Sequence, residues 1–184
     1  MMRLRTALAS LAALLLGTGA RGADKAERFR LDNGILSAGF GSAGLARIAG
    51  TASRQSVELT EESVTLAVNG ETLQVPGLKL TDTKRRKESV TYTYRAGDKQ
   101  LQVVYELKPG WHFVSKQLVL TLPAGSTGRV DAVEMLRADL TAPIAREYKA
   151  SSASGAVFLR LGETNPPPEF GVFLGGNIST ASPP

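Results

Sequence analysis

Apolar residues recur at every second position through much of this chain of 184 residues. The alternation is clear in residues 64–68, 90–94 and 101–107, where mostly polar residues occupy the positions in between. Because successive side chains of a β-strand point to opposite faces, a period of two predicts strands with one buried face. After the first two dozen residues we find no convincing helical period; residues 131–139 are the least clear segment. The pattern favours an all-β fold.

Turn-forming residues separate the predicted strands at intervals of about eight to twelve positions. Asn69-Gly70 is typical of a two-residue hairpin, and residues 96–98 and 109–110 predict further turns. Short strands joined in this way are typical of an antiparallel sandwich or barrel. We expect an antiparallel β-sandwich.

Three glycines, Gly39, Gly41 and Gly44, have the spacing of a dinucleotide-binding loop. Such a loop holds phosphate at the N-terminus of a helix, whereas the residues that follow here, 45–50, have the pattern of a strand. We therefore interpret the three glycines as part of a hairpin turn.

The first residues have the layout of a secretory signal peptide. Arg3 and Arg5 precede an apolar or small run at residues 7–16, and small residues follow it. The run is about ten residues long, whereas a helix that spans a bilayer needs about 20. A buried N-terminal helix would leave the two arginines unexplained. We predict cleavage after Gly22, or as second choice after Ala20, and hence a periplasmic or extracellular protein.

This assignment divides the chain into three parts. Residues 1–22 are the predicted signal peptide, residues 23–174 one β-sandwich domain, and residues 175–184 a loose C-terminal tail. No internal repeat or further domain boundary is visible.

Composition excludes several classes of function. The chain has no cysteine, so it has no disulfide, no thiol nucleophile and no zinc site built on sulfur. Its net charge of +5 falls to +2 without the three arginines of the leader, and a nucleic-acid partner is therefore not expected. After the leader, no apolar run is long enough to span a membrane.

One dense basic run, residues 84–87, has two interpretations. It could bind an acidic polymer such as a polyanionic glycan or a membrane surface. We favour a solvated hairpin tip between strands near residues 78–82 and 88–95, because no aromatic residue is interleaved for stacking.

His112 is the only histidine and lies beside Trp111, the only tryptophan. A lone histidine cannot build a histidine-rich metal site, and we predict neither a metal nor a cofactor. His112 could act as a general acid with Glu106 or Glu134, or line a sugar-stacking surface with Trp111. The ordinary interpretation, which we favour, is that Trp111 covers the edge of the core after the 109–110 turn.

No catalytic residue can be assigned. Glycoside hydrolysis needs two carboxyl groups about 5–9.5 Å apart, and the sequence does not show which acids converge. The acids available for such a pair are Asp131, Glu134, Asp139, Glu147, Glu163 and Glu169.

Several segments together resemble the galactose-mutarotase-like β-sandwiches. They are residues 29–33, 35–40 and 44–48, the 64–75 hairpin, residues 105–110 and 116–120, and residues 170–174. The resemblance covers most of residues 27–174 and includes the N-terminal sandwich domains of secreted glycoside hydrolases of the alpha-galactosidase type. It implies a supersandwich-like fold.

The resemblance also implies a function. In this family the sandwich often forms walls of the substrate cleft, while a following domain carries the catalytic acids. Stand-alone mutarotases use a histidine pair and a glutamate, and with His112 alone this chain departs from that pattern. The chain ends soon after Leu174, where the hydrolases continue, so we expect a truncated product or a lone sandwich.

We therefore expect a non-catalytic, carbohydrate-associated module whose partner is a carbohydrate or a catalytic domain. Its weak candidates for sugar contact are Tyr105, Trp111 and His112. The alternative is a periplasmic structural or protein-interaction sandwich without a sugar ligand. A self-sufficient sugar epimerase or lyase is a third, less favoured, hypothesis.

Overall fold

A computed structural model describes the backbone of residues 3–14, 27–52, 56–140, 144–149, 157–161 and 170–176, and the side chains of residues 27–52, 56–60 and 62–140. Within these residues the chain forms strands and no helix. The strands are β1 (Arg3–Leu14), β2 (Phe29–Asp32), β3 (Leu36–Phe40), β4 (Leu45–Gly50), β5 (Ser56–Val68), β6 (Glu71–Val75), β7 (Lys79–Arg85), β8 (Ser89–Ala96), β9 (Lys99–Glu106), β10 (Phe113–Thr121), β11 (Val130–Leu140), β12 (Ile144–Lys149), β13 (Val157–Leu161) and β14 (Phe170–Gly176).

The strands form two antiparallel sheets. One has eight strands in the order β12-β13-β14-β1-β10-β9-β8-β7. The other has six: β11-β5-β4-β3-β2 in order, with β6 also paired to β5. The predicted all-β sandwich is confirmed.

Alternation along the strands builds the core between the sheets. In β9, Leu101, Val103 and Tyr105 are buried, while the side chains between them are only partly covered. The other sheet contributes residues such as Leu66 and Ile48 to the same cluster of buried side chains. The faces that point away from this cluster are therefore free to carry polar groups.

The turns follow the sequence pattern. Asn69 and Gly70 have φ values of 53° and 78°, as a type I′ hairpin between β5 and β6 requires. Gly39 lies in β3, and Gly41 and Gly44 lie in the turn between β3 and β4, which is closed by a hydrogen bond from Gly41 N to Gly44 O of 2.9 Å. Since a strand follows this turn, the hairpin interpretation is confirmed.

Two ends of the chain differ in detail from the sequence-based boundaries. β1 covers most of the predicted signal peptide and pairs with β10 and β14; its removal on export stays a prediction. β14 ends at Gly176, so it extends two residues into the segment predicted as a tail, and residues 177–184 lie outside the described residues. Residues 131–139, the least clear segment of the sequence, lie in β11.

None of the described residues forms a helix long and apolar enough to cross a membrane.

Candidate functional site

A polar groove of about 680 Å³ lies on the outer face of β7, β8 and β9. In β8 and β9 the inward positions are apolar and aromatic, so the alternate positions, most of them polar, point outward. The exposed strand β7 adds polar side chains beside them. Every lining residue except Val104 is polar or charged. The lining residues are Thr81, Asp82, Lys84, Arg86, Ser89, Thr91, Thr93, Arg95, Gln100, Gln102, Val104 and Glu106.

Strand register arranges these side chains in rows across the groove. Starting from β7, the rows read Lys84-Thr91-Val104 and then Asp82-Thr93-Gln102. The third row is Arg95-Gln100; the partner of Arg95 on β7 is Lys79, which does not line the groove. A fourth row, Ser89-Glu106, lies at the β7–β8 hairpin end. Neighbouring strands are about 4.8 Å apart and residues advance about 3.3 Å along a strand, so each row can contact a different part of an extended ligand.

Three cations and two carboxylates line the groove. Lys84, Arg86 and Arg95 are exposed, and within the described residues their side chains have no hydrogen bond or ion pair. Of the carboxylates, Glu106 lies 3.5 Å from Lys108 Nζ and so already has a partner cation, whereas Asp82 has none among the described side chains.

The basic run is divided by the pleat of β7. Lys84 and Arg86 line the groove, while Arg85 donates through Nε and Nη2 to the carbonyl oxygen of Arg30 at 3.3 and 3.1 Å. The tip itself is closed by a hydrogen bond from Arg86 N to Ser89 O. The expected solvated tip is therefore correct for the end of the run, but Lys84 and Arg85 belong to the strand.

Trp111 and His112 lie in the β9–β10 turn, at the same end of the sheet as the β7–β8 hairpin. The two turns are joined by a hydrogen bond from Leu107 N to Glu88 O. Phe113 stacks on Trp111 with ring centroids 4.6 Å apart, and Lys108 Nζ lies 5.0 Å from the Trp111 centroid. Because Lys108 also pairs with Glu106, it connects the tryptophan to the groove. The ring is partly buried against the core, while His112 is exposed.

The turn is held by a side chain that the sequence analysis did not single out. Asn33 donates from Nδ2 to the carbonyl oxygens of Lys108 and Trp111, both at 2.8 Å. Its Oδ1 accepts from Ile35 N and Leu36 N, so one amide joins the β2–β3 turn to the β9–β10 turn.

Tyr105 is separated from this surface. Its side chain is 1% exposed and its hydroxyl donates to the Glu62 carboxylate, at 2.9 and 2.8 Å from the two oxygens. The structure thus brings Trp111 and His112 together near the groove and places Tyr105 in the interior, out of reach of a surface ligand.

Glu62 and Lys116 form a buried ion pair with Tyr105, hereafter the Glu62 cluster. Lys116 Nζ donates to Glu62 Oε1 at 2.5 Å, and the two side chains are 6% and 3% exposed. The second carboxylate oxygen accepts from Leu45 N in the β3–β4 turn. The cluster joins β5 of one sheet to β9 and β10 of the other, and its carboxylate has a partner at each oxygen.

Three buried tyrosines, Tyr92, Tyr94 and Tyr105, surround this position and are called the tyrosine cluster below. The hydroxyls of Tyr92 and Tyr94 donate to the carbonyl oxygens of Gly41 and Ala43 at 2.7 and 3.4 Å. Burial raises the pKa of all three phenols, and the Glu62 charge raises them further. The tyrosine pKa values thus remain above the physiological range, and these groups serve as hydrogen-bond donors.

Desolvation also lowers the pKa of Lys116, an effect that the Glu62 carboxylate opposes. Because both side chains are almost fully buried and the Glu62 oxygens and Lys116 Nζ all have partners among the described residues, the Glu62 cluster is suited to holding the sheets together rather than to reacting with a substrate. The sequence contains a signal for this cluster, because Lys116 lies two positions before the buried Leu118 and Glu62 two positions before the buried Val64. Each charged residue is therefore expected on the inward face of its strand.

Of the acids considered for hydrolysis, Asp131, Glu134 and Asp139 all lie on β11. Asp131 accepts from Gly70 N and Arg129 Nε, which lowers its pKa, and Glu134 lies 3.3 Å from the Thr65 hydroxyl. The side chain of Glu147 and the whole of Glu163 and Glu169 are outside the described residues. No group of three metal-ligating side chains occurs among those described.

Comparison of the chain with protein-family models, curated proteins and solved structures finds no match. The resemblance to galactose-mutarotase-like sandwiches stays a prediction.

Proposed function

We propose that this chain is a carbohydrate-associated β-sandwich module, the N-terminal part of an exported glycoside-hydrolase-like protein, and that it binds saccharide along the β7–β9 groove. The single observation that carries the proposal is the composition of that groove, in which polar side chains line a concave surface of about 680 Å³.

The chemistry of the lining suits a polyhydroxylated ligand. Small-molecule pockets are usually lined by apolar and aromatic groups, whereas a saccharide presents hydroxyls that both donate and accept hydrogen bonds. Thr91, Gln100 and Gln102 offer the same double capacity and stand on rigid strands. Their rows therefore form a preorganised hydrogen-bonding surface.

The β9–β10 turn forms one end of this proposed site. His112 is exposed there and can donate or accept a hydrogen bond. Trp111 has Phe113 stacked on its ring, so in this proposal it shapes the end of the groove through Lys108 and Glu106. Tyr105 supports the site from the interior through Glu62.

Binding of plant and microbial polysaccharides to the purified chain, measured by calorimetry and affinity electrophoresis, tests the proposal. We expect Gln100→Ala with Gln102→Ala to weaken binding, because these amides face the groove. Gln74→Ala, on the exposed face of β6 in the other sheet, is the matched control and should leave binding unchanged.

The proposal is overturned if no polysaccharide binds, or if the groove variants and the control bind alike. Stoichiometric capture of a protein through the same groove, without saccharide binding, would favour the alternative of a protein-interaction sandwich.

A further inference from the structure

We infer that the ligand of the β7–β9 groove is an anionic saccharide, one that carries carboxylate or sulfate groups. This inference rests on the function proposed above and goes further by naming the class of ligand.

The first support is the state of the cations in the groove. Some other cations of the described surface are engaged: Arg85 bonds to a carbonyl oxygen, and Lys99 lies 2.6 Å from the Glu71 carboxylate. Lys87 and Arg137, which lie outside the groove, are also without a partner among the described side chains. Lys84, Arg86 and Arg95 have no such partner among the described residues, although all three line one groove. Their charges are thus available to a ligand.

The second support is the balance of charge. The groove contains three cations and two carboxylates, Asp82 and Glu106, and Glu106 is already paired with Lys108. The groove therefore has a positive field, which favours an anionic ligand and disfavours a cationic one.

The third support is the placement of the cations along the sheet. Lys84 lies opposite Thr91 and Arg95 opposite Gln100, four residues apart along β8 or about 13 Å. The row between them is Asp82-Thr93-Gln102, in which Asp82 carries a negative charge at the β7 side while Thr93 and Gln102 are neutral. A linear chain with recurring negative groups could meet a cation at each end and hydrogen-bonding groups at the centre.

The test compares two probes that share one backbone: an oligogalacturonide and its fully methyl-esterified, neutral form. We expect the acidic form to bind at least tenfold more tightly at low salt and to lose this advantage as salt is raised, since salt screens exposed charges. Lys84→Gln and Arg95→Gln should each weaken binding of the acidic form roughly threefold to tenfold, as expected for loss of one partly exposed charge contact.

Arg137→Gln, on exposed β11 of the other sheet, is the control and should leave both affinities unchanged. Equal binding of the two probes, with loss in the Gln100→Ala and Gln102→Ala variant, would overturn this inference but support the proposed function. Polyglutamate that competes as well as the oligogalacturonide would overturn it too, by showing a general anion surface. Absence of binding to any saccharide would overturn both proposals.

Discussion

Replacing Lys116 by methionine should destabilise the protein strongly, because it leaves the Glu62 carboxylate buried without its cation. Methionine has a similar length and no charge, so the substitution removes the ion pair with little change in volume. Breaking a buried pair by removal of one partner costs about 3–5 kcal/mol. The low exposure of both side chains, 6% and 3%, places this pair in that class.

Urea unfolding followed by tryptophan fluorescence measures the effect. With a slope of about 1–3 kcal/mol per M for small proteins, the expected loss shifts the midpoint down by roughly 1–5 M. The double variant Lys116→Met with Glu62→Gln should recover most of the stability. It leaves no charge buried, and the Gln amide can still accept from Leu45 N or Tyr105.

Lys99→Met is the matched control, since Lys99 pairs with Glu71 at a position where the lysine is half-buried and the carboxylate is exposed. Salt bridges of this kind contribute little, so its midpoint should stay close to that of the unmodified protein. A Lys116→Met variant no less stable than Lys99→Met would refute the reasoning, as would a double variant no more stable than Lys116→Met alone.

Three further predictions follow from the same region and from the N-terminus. Gly44→Ala should cost more than Gly34→Ala in urea unfolding, by about 1–3 kcal/mol, because both glycines have positive φ but only at Gly44 would a Cβ meet the Tyr105 hydroxyl, at 2.8 Å. In the folded protein the phenol pKa values of the tyrosine cluster are raised above 10.0, to about 12 for Tyr94. The unfolded phenols therefore ionise first, so the contribution of the cluster to the free energy of unfolding is complete below pH 10 and is lost as pH rises through the folded-state pKa values. The lowered pKa of Lys116 makes stability rise with pH, but only up to pH 10.5. Absorbance at 295 nm should therefore show that ionisation of these tyrosines is delayed and coincides with unfolding. Titration of the three phenols near pH 10 in the folded state would contradict this prediction. We predict that the protein is exported, so mass spectrometry of material recovered from the periplasm or medium should find Ala23, or Arg21, as the first residue. Retention of Arg3–Leu14 would instead make β1 a permanent strand of the sheet.

Local pattern determined most of the strands and turns. Alternation in residues 101–107 predicts β9 because a strand with one buried face needs an apolar residue at every second position. Asn69-Gly70 predicts its hairpin because both positions require positive φ, which these two residues tolerate best. Such signals act over a few neighbouring residues, and they are therefore legible in one sequence.

Contacts between distant segments were decided only by the tertiary structure. Lys116 and Glu62 each lie two positions before a buried apolar residue. They are 54 residues apart in sequence, so their contact depends on how the two sheets pack. Tyr105 was a candidate for sugar contact on the basis of the resemblance, yet its side chain is buried and its hydroxyl bonds to Glu62 of the other sheet. The groove likewise arises from register between β7, β8 and β9, which aligns residues from 81 to 106 in rows that no single segment contains. Periodicity states which face a residue occupies, whereas sheet pairing and packing decide which residues share that face.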